Sequence, residues 1–140
     1  MIVQPVLQQD VCRVMPLVEK YLTKALEYSQ GDYNIEHAKV YLANGSWNLF
    51  VAVGDSGDIK GACTVSFENR PNDRVAYVTA MGGYLISDED TISNFKKMLH
   101  DAFGATKLEG AARASAKRLY ESKYGMKEKY SIVEATLDGR

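Results

Sequence analysis

The chain has 140 residues, of which 46% are hydrophobic and 25% are charged, and its formal net charge is −1. These values are ordinary for a globular protein, and a nearly neutral chain without a groove-reading motif has no general attraction for nucleic acid or anionic lipid. We therefore expect a single domain over residues 1–140 that binds neither nucleic acid nor membranes.

The cysteines and the amino terminus bear on the cellular compartment. Cys12 and Cys63 lack the spacing of metal ligands and lie in apolar patterns, so we expect free, non-catalytic thiols in a reducing compartment. The first residues lack the basic and long apolar parts of a signal peptide, and no apolar run is as long as a membrane span. The sequence thus predicts a soluble, cytoplasmic protein without a bound metal.

The first part of the chain predicts a strand and two helices. Residues 2–7 can form a strand, and Pro5 favours an edge position because it lacks a ladder donor. Apolar residues then recur at helical spacing after Asp10, which is a suitable N-cap. Pro16 should either kink this helix or mark its first turn. A second, shorter helix is expected over 34–44.

The pattern changes from a helical to an alternating period at Trp47. Residues 47–53 are almost continuously apolar, as in a strand covered on both faces. Apolar and polar residues alternate in 59–68, and 75–81 predicts a further strand. Because short, turn-forming links connect these three segments, we predict an antiparallel meander.

The rest of the chain predicts two more helices and two more strands. Ser87-Asp-Glu-Asp90 has the form of a capping box, and the helix that follows should end at Gly104. Strands are expected over 108–112 and 130–137. Between them lies a short helix ended by Gly125, and its inner face is formed by Ala116, Leu119, Tyr120 and Tyr124.

The element order and the last helix resemble the GNAT acyltransferases. The predicted order β-α-α-β-β-β-α-β-α-β is a mixed α/β fold with helices packed against a mostly antiparallel sheet, and it is also the order of the GNAT fold. Ala116-Lys-Arg-Leu119-Tyr120 is similar to the A-x-x-L-Y…G pattern of that family, with Gly125 one residue later than usual. The resemblance implies an N-acetyltransferase that uses acetyl-CoA and acylates an amine of a small molecule or a protein.

The resemblance also implies the site residues. Tyr120 lies where the family places a general acid, and a phenol with a pKa of about 10 can protonate a thiolate whose conjugate acid is near 8.5. The alternative role of Tyr120 is that of a core side chain. Glu68, at the end of its strand, is the candidate base, although a strand-end glutamate is more often simply solvated. The residues expected to contact coenzyme A are Thr79, Ala80, Met81, Gly82, Gly83, Tyr84, Arg113 and Lys117.

The cofactor loop departs from the family pattern. The family signature Arg/Gln-x-x-Gly-x-Gly/Ala holds a pyrophosphate on backbone N–H groups. This chain has Gly82-Gly83 with no arginine or glutamine before them at that spacing. Three acids, at positions 88–90, occupy the start of the following helix and would repel a diphosphate. The glycines therefore favour a bulge or kink in a long strand over a phosphate nest.

Two functions are open at this point. Residues 94–130 hold nine Lys/Arg against four acids, and this basic region supports an enzyme with an anionic cofactor. The missing signature supports a non-catalytic GNAT-like scaffold, serving as an interaction or structural protein. The chain is also similar to GNAT-like proteins of tailed bacteriophages, some of which are virion components. Both interpretations allow a homo-oligomer.

Overall fold

A computed structural model describes residues 1–27, 32–83, 88–112 and 114–139, and it describes the side chains of all of these except 114–116. In chain order the elements are β1 (Ile2–Val6), a 3₁₀ turn (Gln8–Asp10), α1 (Val11–Leu26), α2 (Ile35–Ala43), β2 (Asn48–Val53), β3 (Ile59–Asn69), β4 (Arg74–Gly83), α3 (Glu89–Asp101), β5 (Lys107–Gly110) and α4 (Ala114–Tyr124).

The strands form one sheet in the order β1-β2-β3-β4-β5. β1 to β4 pair antiparallel, which confirms the predicted meander, whereas β5 pairs parallel to β4. β1 is an edge strand, as Pro5 predicts. β2 is buried on both faces, as its continuous apolar sequence predicts.

The helices cover the two faces of the sheet. α1 and α2 pack on one face, where the buried side chains include Val18, Leu22 and Leu49. α3 packs on the other face around Phe50 and Phe95, whose rings lie 5.3 Å apart, and α4 joins this cluster through Tyr124. These two faces are called the α1/α2 face and the α3/α4 face below. None of the described helices is both long enough and apolar enough to cross a membrane.

The predicted helix-start residues differ in whether they cap their helices in the structure. Asn34 caps α2 by accepting a bond from the N–H of His37, whose ring nitrogen accepts from the N–H of Asn34 in return. Asp88 rather than Ser87 is the N-cap of α3, and Ser87 lies outside the described residues. Asp10 precedes α1 but makes no side-chain capping bond. Pro16 lies inside α1, beyond its first turn.

The predicted closing strand is wrong. Residues 130–137 form no strand in the structure and pair with none of the described strands. The β-branched and aromatic residues of this segment favour extended backbone, but a strand also needs a neighbour at ladder distance. Ion pairs instead hold the chain just before this segment, where Lys129 contacts Glu109 at 3.0 Å and Glu128 contacts Lys117 at 2.9 Å.

Candidate functional site

The central feature of the candidate site is the point where β4 and β5 part. The parallel ladder ends with Val78 opposite Gly110, while β4 continues to Gly83 against β3. Thr79 is the extra residue of a bulge, since Val78 pairs with Val65 but Ala80 pairs with Thr64. Beyond Val78 one edge of β4 therefore has no partner among the described strands.

Several residues expected to contact coenzyme A lie on this open edge. The segment from Thr79 to Gly83 forms the edge, whereas Tyr84 and Arg113 lie outside the described residues. The Thr79 hydroxyl donates to the carbonyl of Thr64 at 3.1 Å, so this side chain is already used inside the sheet. What the edge offers a ligand is consequently its backbone N–H and C=O groups.

The two glycines are explained by packing. A Cβ on Gly82 would lie 2.8 Å from the carbonyl oxygen of Tyr21 in α1. Gly83 has φ +74°, and a Cβ there would lie 2.6 Å from the Cα of Gly61 on β3. Neither position accommodates a side chain, because backbone atoms stand in the way. The close approach of α1 and β3 thus supports the expected structural role of these glycines.

Two tyrosines of α4 lie against the sheet on the α3/α4 face. Tyr120 is half-buried in the cluster on this face, and its ring meets that of Tyr124 edge-on at 5.8 Å. Tyr124 is buried, and its hydroxyl donates to the sulfur of Met81 at 3.3 Å. Burial raises the pKa of Tyr120, so its phenol stays protonated through the neutral range. A protonated phenol therefore lies close to the cluster that contains Met81 of the open edge.

Glu68 lies on the opposite side of the sheet from Tyr120. Its neighbour Phe67 stacks on Phe103 of the α3/α4 face with ring centroids 5.1 Å apart, so Glu68 projects to the α1/α2 face. The carboxylate of Glu68 is bound by the guanidinium of Arg70 at 2.9 Å. The structure thus does not bring the two predicted catalytic residues together on one face.

Arg70 connects Glu68 to a residue that sequence reasoning missed. The same guanidinium binds both carboxylate oxygens of Glu109 on β5, at 2.9 Å and 3.0 Å. Arg70, with Lys129 as a second cation, holds the pKa of Glu109 below its ordinary value. Because Arg70 and Glu109 are 39 residues apart and meet only through the β4–β5 pairing, no local sequence signal could have found this contact.

Tyr77 is a second residue of this polar group that the sequence did not single out. It lies on β4 directly beside Glu109 of β5. Burial is the main cause of the raised pKa of Tyr77, and the nearby carboxylates of Glu109 and Glu68 raise it further. Its hydroxyl therefore remains a proton-bearing group among carboxylates on the α1/α2 face.

Of the two basic residues predicted to meet the cofactor, the one that the structure describes is engaged elsewhere. Lys117 on α4 forms an ion pair with Glu128 at 2.9 Å, and this contact raises the pKa of Lys117. At the start of α3, Asp88 accepts from the backbone N–H of Thr91, and Glu89 pairs with Lys123 of α4 at 3.3 Å. The acids at this helix start are therefore partly offset by α4.

The remaining reactive groups form no further cluster among the residues that the structure describes. Cys12 is exposed, Cys63 is buried and both are free thiols, as predicted. Burial raises the pKa of Cys63, which keeps it a thiol rather than a nucleophilic thiolate. Within the described ranges no three His, Cys, Asp or Glu side chains are grouped so that they could hold a metal ion.

Comparison with solved structures identifies the fold. The chain is similar to a probable acetyltransferase, with a TM-score of 0.67 and 16% identity over 98% of this chain and 97% of that one. It is also similar to a ribosomal-protein-alanine N-acetyltransferase from Brucella melitensis biovar Abortus 2308, with a TM-score of 0.65 and 15% identity over 97% of this chain and 100% of that one. A third similar structure is an aminoglycoside acetyltransferase from an uncultured soil metagenomic sample, with a TM-score of 0.67 and 16% identity over 97% of this chain and 95% of that one.

The chain therefore has the mixed α/β fold of acetyltransferases, which is the GNAT fold predicted from the sequence. The similarity extends over nearly the whole chain at low sequence identity. No protein-family model matches the chain, and no curated protein matches it either.

Proposed function

We propose that this protein is an acetyl-CoA-dependent N-acetyltransferase with a divergent cofactor loop. The observation that carries the proposal is the parting of β4 and β5, which leaves the edge from Thr79 to Gly83 open beside the α4 tyrosines. An open strand edge can pair with the amide groups of an extended ligand, in the way that a peptide adds to a sheet. When bound, acetyl-CoA would supply an acetyl thioester at this cleft.

Tyr120 is the proposed proton donor. Transfer of the acetyl group to an amine breaks a carbon–sulfur bond, and the sulfur leaves as a thiolate that must be protonated. An ordinary phenol has a pKa of about 10 and is protonated at neutral pH, and burial raises the pKa of Tyr120 further. It is also held in place by the edge-on contact with Tyr124. Its fixed, protonated hydroxyl fits the role of a general acid.

Glu68 is the proposed base, acting from the other face. An amine acceptor is protonated at neutral pH and must lose a proton before it can attack a carbonyl carbon. The Glu68 carboxylate is partly exposed and is held by Arg70 at 2.9 Å, which orients it at the end of β3. The α1/α2 face therefore carries a positioned carboxylate, and we assign the acceptor to this side of the sheet.

The fit to the cofactor is uneven along its length. The backbone of the open edge suits the amides of the pantetheine arm, whereas Gly82 and Gly83 turn toward α1 and β3 rather than forming a phosphate nest. Lys123 lies beside the start of α3, but it pairs with Glu89 at 3.3 Å, so a phosphate would have to displace that carboxylate. The proposal thus depends on the strand edge more than on the helix start.

Calorimetric titration of the full chain with acetyl-CoA tests this proposal. We expect saturable one-to-one binding, and release of free thiol when a primary amine is added. An alanine-terminated peptide and an aminoglycoside are reasonable first acceptors, because two structurally similar proteins are named for alanine and aminoglycoside acetylation. No detectable binding of acetyl-CoA at millimolar concentration would contradict the proposal.

The acids at the start of α3 lead to a prediction about affinity. We expect Asp88→Asn combined with Glu89→Gln to tighten acetyl-CoA binding by roughly tenfold at low salt and by less at high salt, because two charges that repel a diphosphate are removed. Asparagine is also a good N-cap, so the contact with Thr91 is preserved. Calorimetry at two salt concentrations measures the effect. The control is Asp101→Asn at the far end of α3, which should change the affinity little.

A non-catalytic scaffold is the second candidate function. The observation that favours it is that the packing of α1 and β3 explains both glycines, while Glu128 already neutralises Lys117. On this hypothesis the protein is an interaction or structural protein, as are some of the phage GNAT-like proteins that the sequence resembles. The same titration separates the two candidates, since a scaffold has no need to bind acetyl-CoA.

A further inference from the structure

A groove on the α1/α2 face lies on the other side of the sheet's central strand from the candidate site. It is bounded by α1, by β1 and β2, and by the turn that leads into β3, and its volume is about 800 Å³. Clefts that hold small molecules have volumes of roughly 300–1,000 Å³. Because β3 separates β2 from β4, this groove is distinct from the open edge between Thr79 and Gly83. We name it the α1/β1 groove.

The path of α1 explains why the α1/β1 groove exists. α1 starts next to β1, to which the turn Gln8–Asp10 connects it. By Tyr21 the helix has reached β3 and β4, where the Tyr21 hydroxyl donates to the carbonyl of Ile59 at 3.2 Å and the Tyr21 carbonyl stands over Gly82. The first part of α1 thus leaves a space over β1 and β2 that none of the other described helices fills.

Most of the groove lining is apolar. The apolar side chains come from α1 and from the two strands, and they include Val14 and Leu17 of α1, Val6 of β1, and Val51 and Val53 of β2. Leu17 is 56% exposed, and Leu7, which also lines the groove, is 60% exposed. An apolar molecule in the groove would remove both leucines from water, which is favourable.

Two cations line the same groove and can bind an anion. Arg13, Leu17 and Lys20 are spaced so that they follow one side of α1. The Lys20 ammonium lies 5.1 Å from the centre of the Tyr21 ring, and it forms no ion pair within the ranges that the structure describes. The Arg13 guanidinium is 3.6 Å from Asp10, which is too long for a hydrogen bond.

The acids of the groove do not cancel this positive charge. Asp58 is already bound by Lys60 at 2.7 Å, and Asp10 is the nearest acid to Arg13. Lys20 is therefore the surplus charge of the lining. A ligand that complements the α1/β1 groove combines an apolar body with one anionic group.

A peptide strand does not meet this requirement, because the outer edge of β1 cannot pair with it. The N–H of Val3 donates to the side chain of Asn94 at 3.1 Å, and Pro5 has no N–H. Residues two apart in a strand direct their N–H groups to the same edge, so this edge lacks both donors. A hydrocarbon chain needs no such hydrogen bonds.

We propose that the α1/β1 groove binds a free fatty acid, with its chain on the apolar lining and its carboxylate at Lys20 and Arg13. The chain displaces water from Leu7 and Leu17, and the cations hold the head group at the exposed side of α1. This site does not depend on whether the protein binds acetyl-CoA.

Calorimetric titration of the full chain with sodium decanoate tests the site. We expect saturable one-to-one binding. Leu17→Asp should weaken it by roughly tenfold or more, because an apolar wall is lost and a like charge is added near the carboxylate. Val40→Asp is the matched control, since Val40 is 59% exposed on α2 and does not line the groove. No saturable binding, or equal weakening in the two variants, would overturn the proposal.

A second titration tests the role of charge. Decylamine has the same chain with a cationic head group, and it should bind at least roughly tenfold more weakly than decanoate. Lys20→Glu should weaken decanoate binding by roughly tenfold, whereas Lys24→Glu changes the net charge equally but does not line the groove. Equal binding of the two amphiphiles, or equal weakening by the two variants, would show that the cations do not select the ligand. Binding to anionic lipid vesicles without binding of free decanoate would overturn the proposal in favour of a membrane contact.

Discussion

Tyr120→Phe should lower the turnover of amine acetylation by a factor of about 10²–10⁴ and leave acetyl-CoA affinity almost unchanged. Phenylalanine keeps the ring that packs on the α3/α4 face and removes only the hydroxyl, which is the proposed proton donor. Steady-state kinetics give the turnover and calorimetry gives the affinity. Full turnover in this variant would remove Tyr120 from the mechanism.

Tyr124→Phe provides the matched control on the same helix. This substitution removes the hydroxyl that donates to the sulfur of Met81 at 3.3 Å, so a loss of about 1 kcal/mol of folding stability is expected. Turnover should remain close to that of the wild type, because Tyr124 is a packing residue in this proposal. The pair of variants separates loss of a proton donor from general damage to α4, and thermal unfolding of both reports any such damage.

Gly83→Ala should lower the free energy of unfolding by about 3–4 kcal/mol. The backbone of Gly83 has φ +74°, where an L side chain is strained, and the new Cβ would in addition lie 2.6 Å from the Cα of Gly61. The backbone at Gly61 cannot move away from the new Cβ without disturbing the pairing of β3 with β4. Urea-induced unfolding followed by circular dichroism measures the change.

Gly57→Ala isolates the strain from the clash. Gly57 has φ +83°, but an added Cβ there would have no atom within 4 Å. Its substitution should therefore lower the free energy of unfolding only by the cost of placing an L residue at positive φ, about 1–2 kcal/mol. Equal losses in the two variants would show that β3 does not constrain Gly83. A Gly83 variant that is stable but no longer binds acetyl-CoA would instead favour a phosphate-binding role for this glycine.

Local periodicity was sufficient to predict most of the elements. The nearly continuous apolar run after Trp47 predicts β2 as a strand covered on both faces, and the alternation in 59–68 predicts β3 as a strand with one buried face. The packing of Tyr120 and Tyr124 on one face of α4 follows from helical spacing, and the end of α4 at Gly125, where φ is +68°, follows from the one residue type that readily leaves a helix with positive φ. The order of these elements was enough to indicate the fold that the structural comparisons show.

Tertiary structure decided the features that depend on a partner distant in the chain. The strand predicted over 130–137 is absent because ladder bonds need a neighbouring strand, and composition does not supply one. The Arg70–Glu109 contact exists because β5 pairs parallel to β4. The need for glycine at Gly82 arises from the approach of α1, whose Tyr21 carbonyl occupies the space of a side chain. Sequence spacing reports which face of an element is apolar, whereas only packing determines what that face meets.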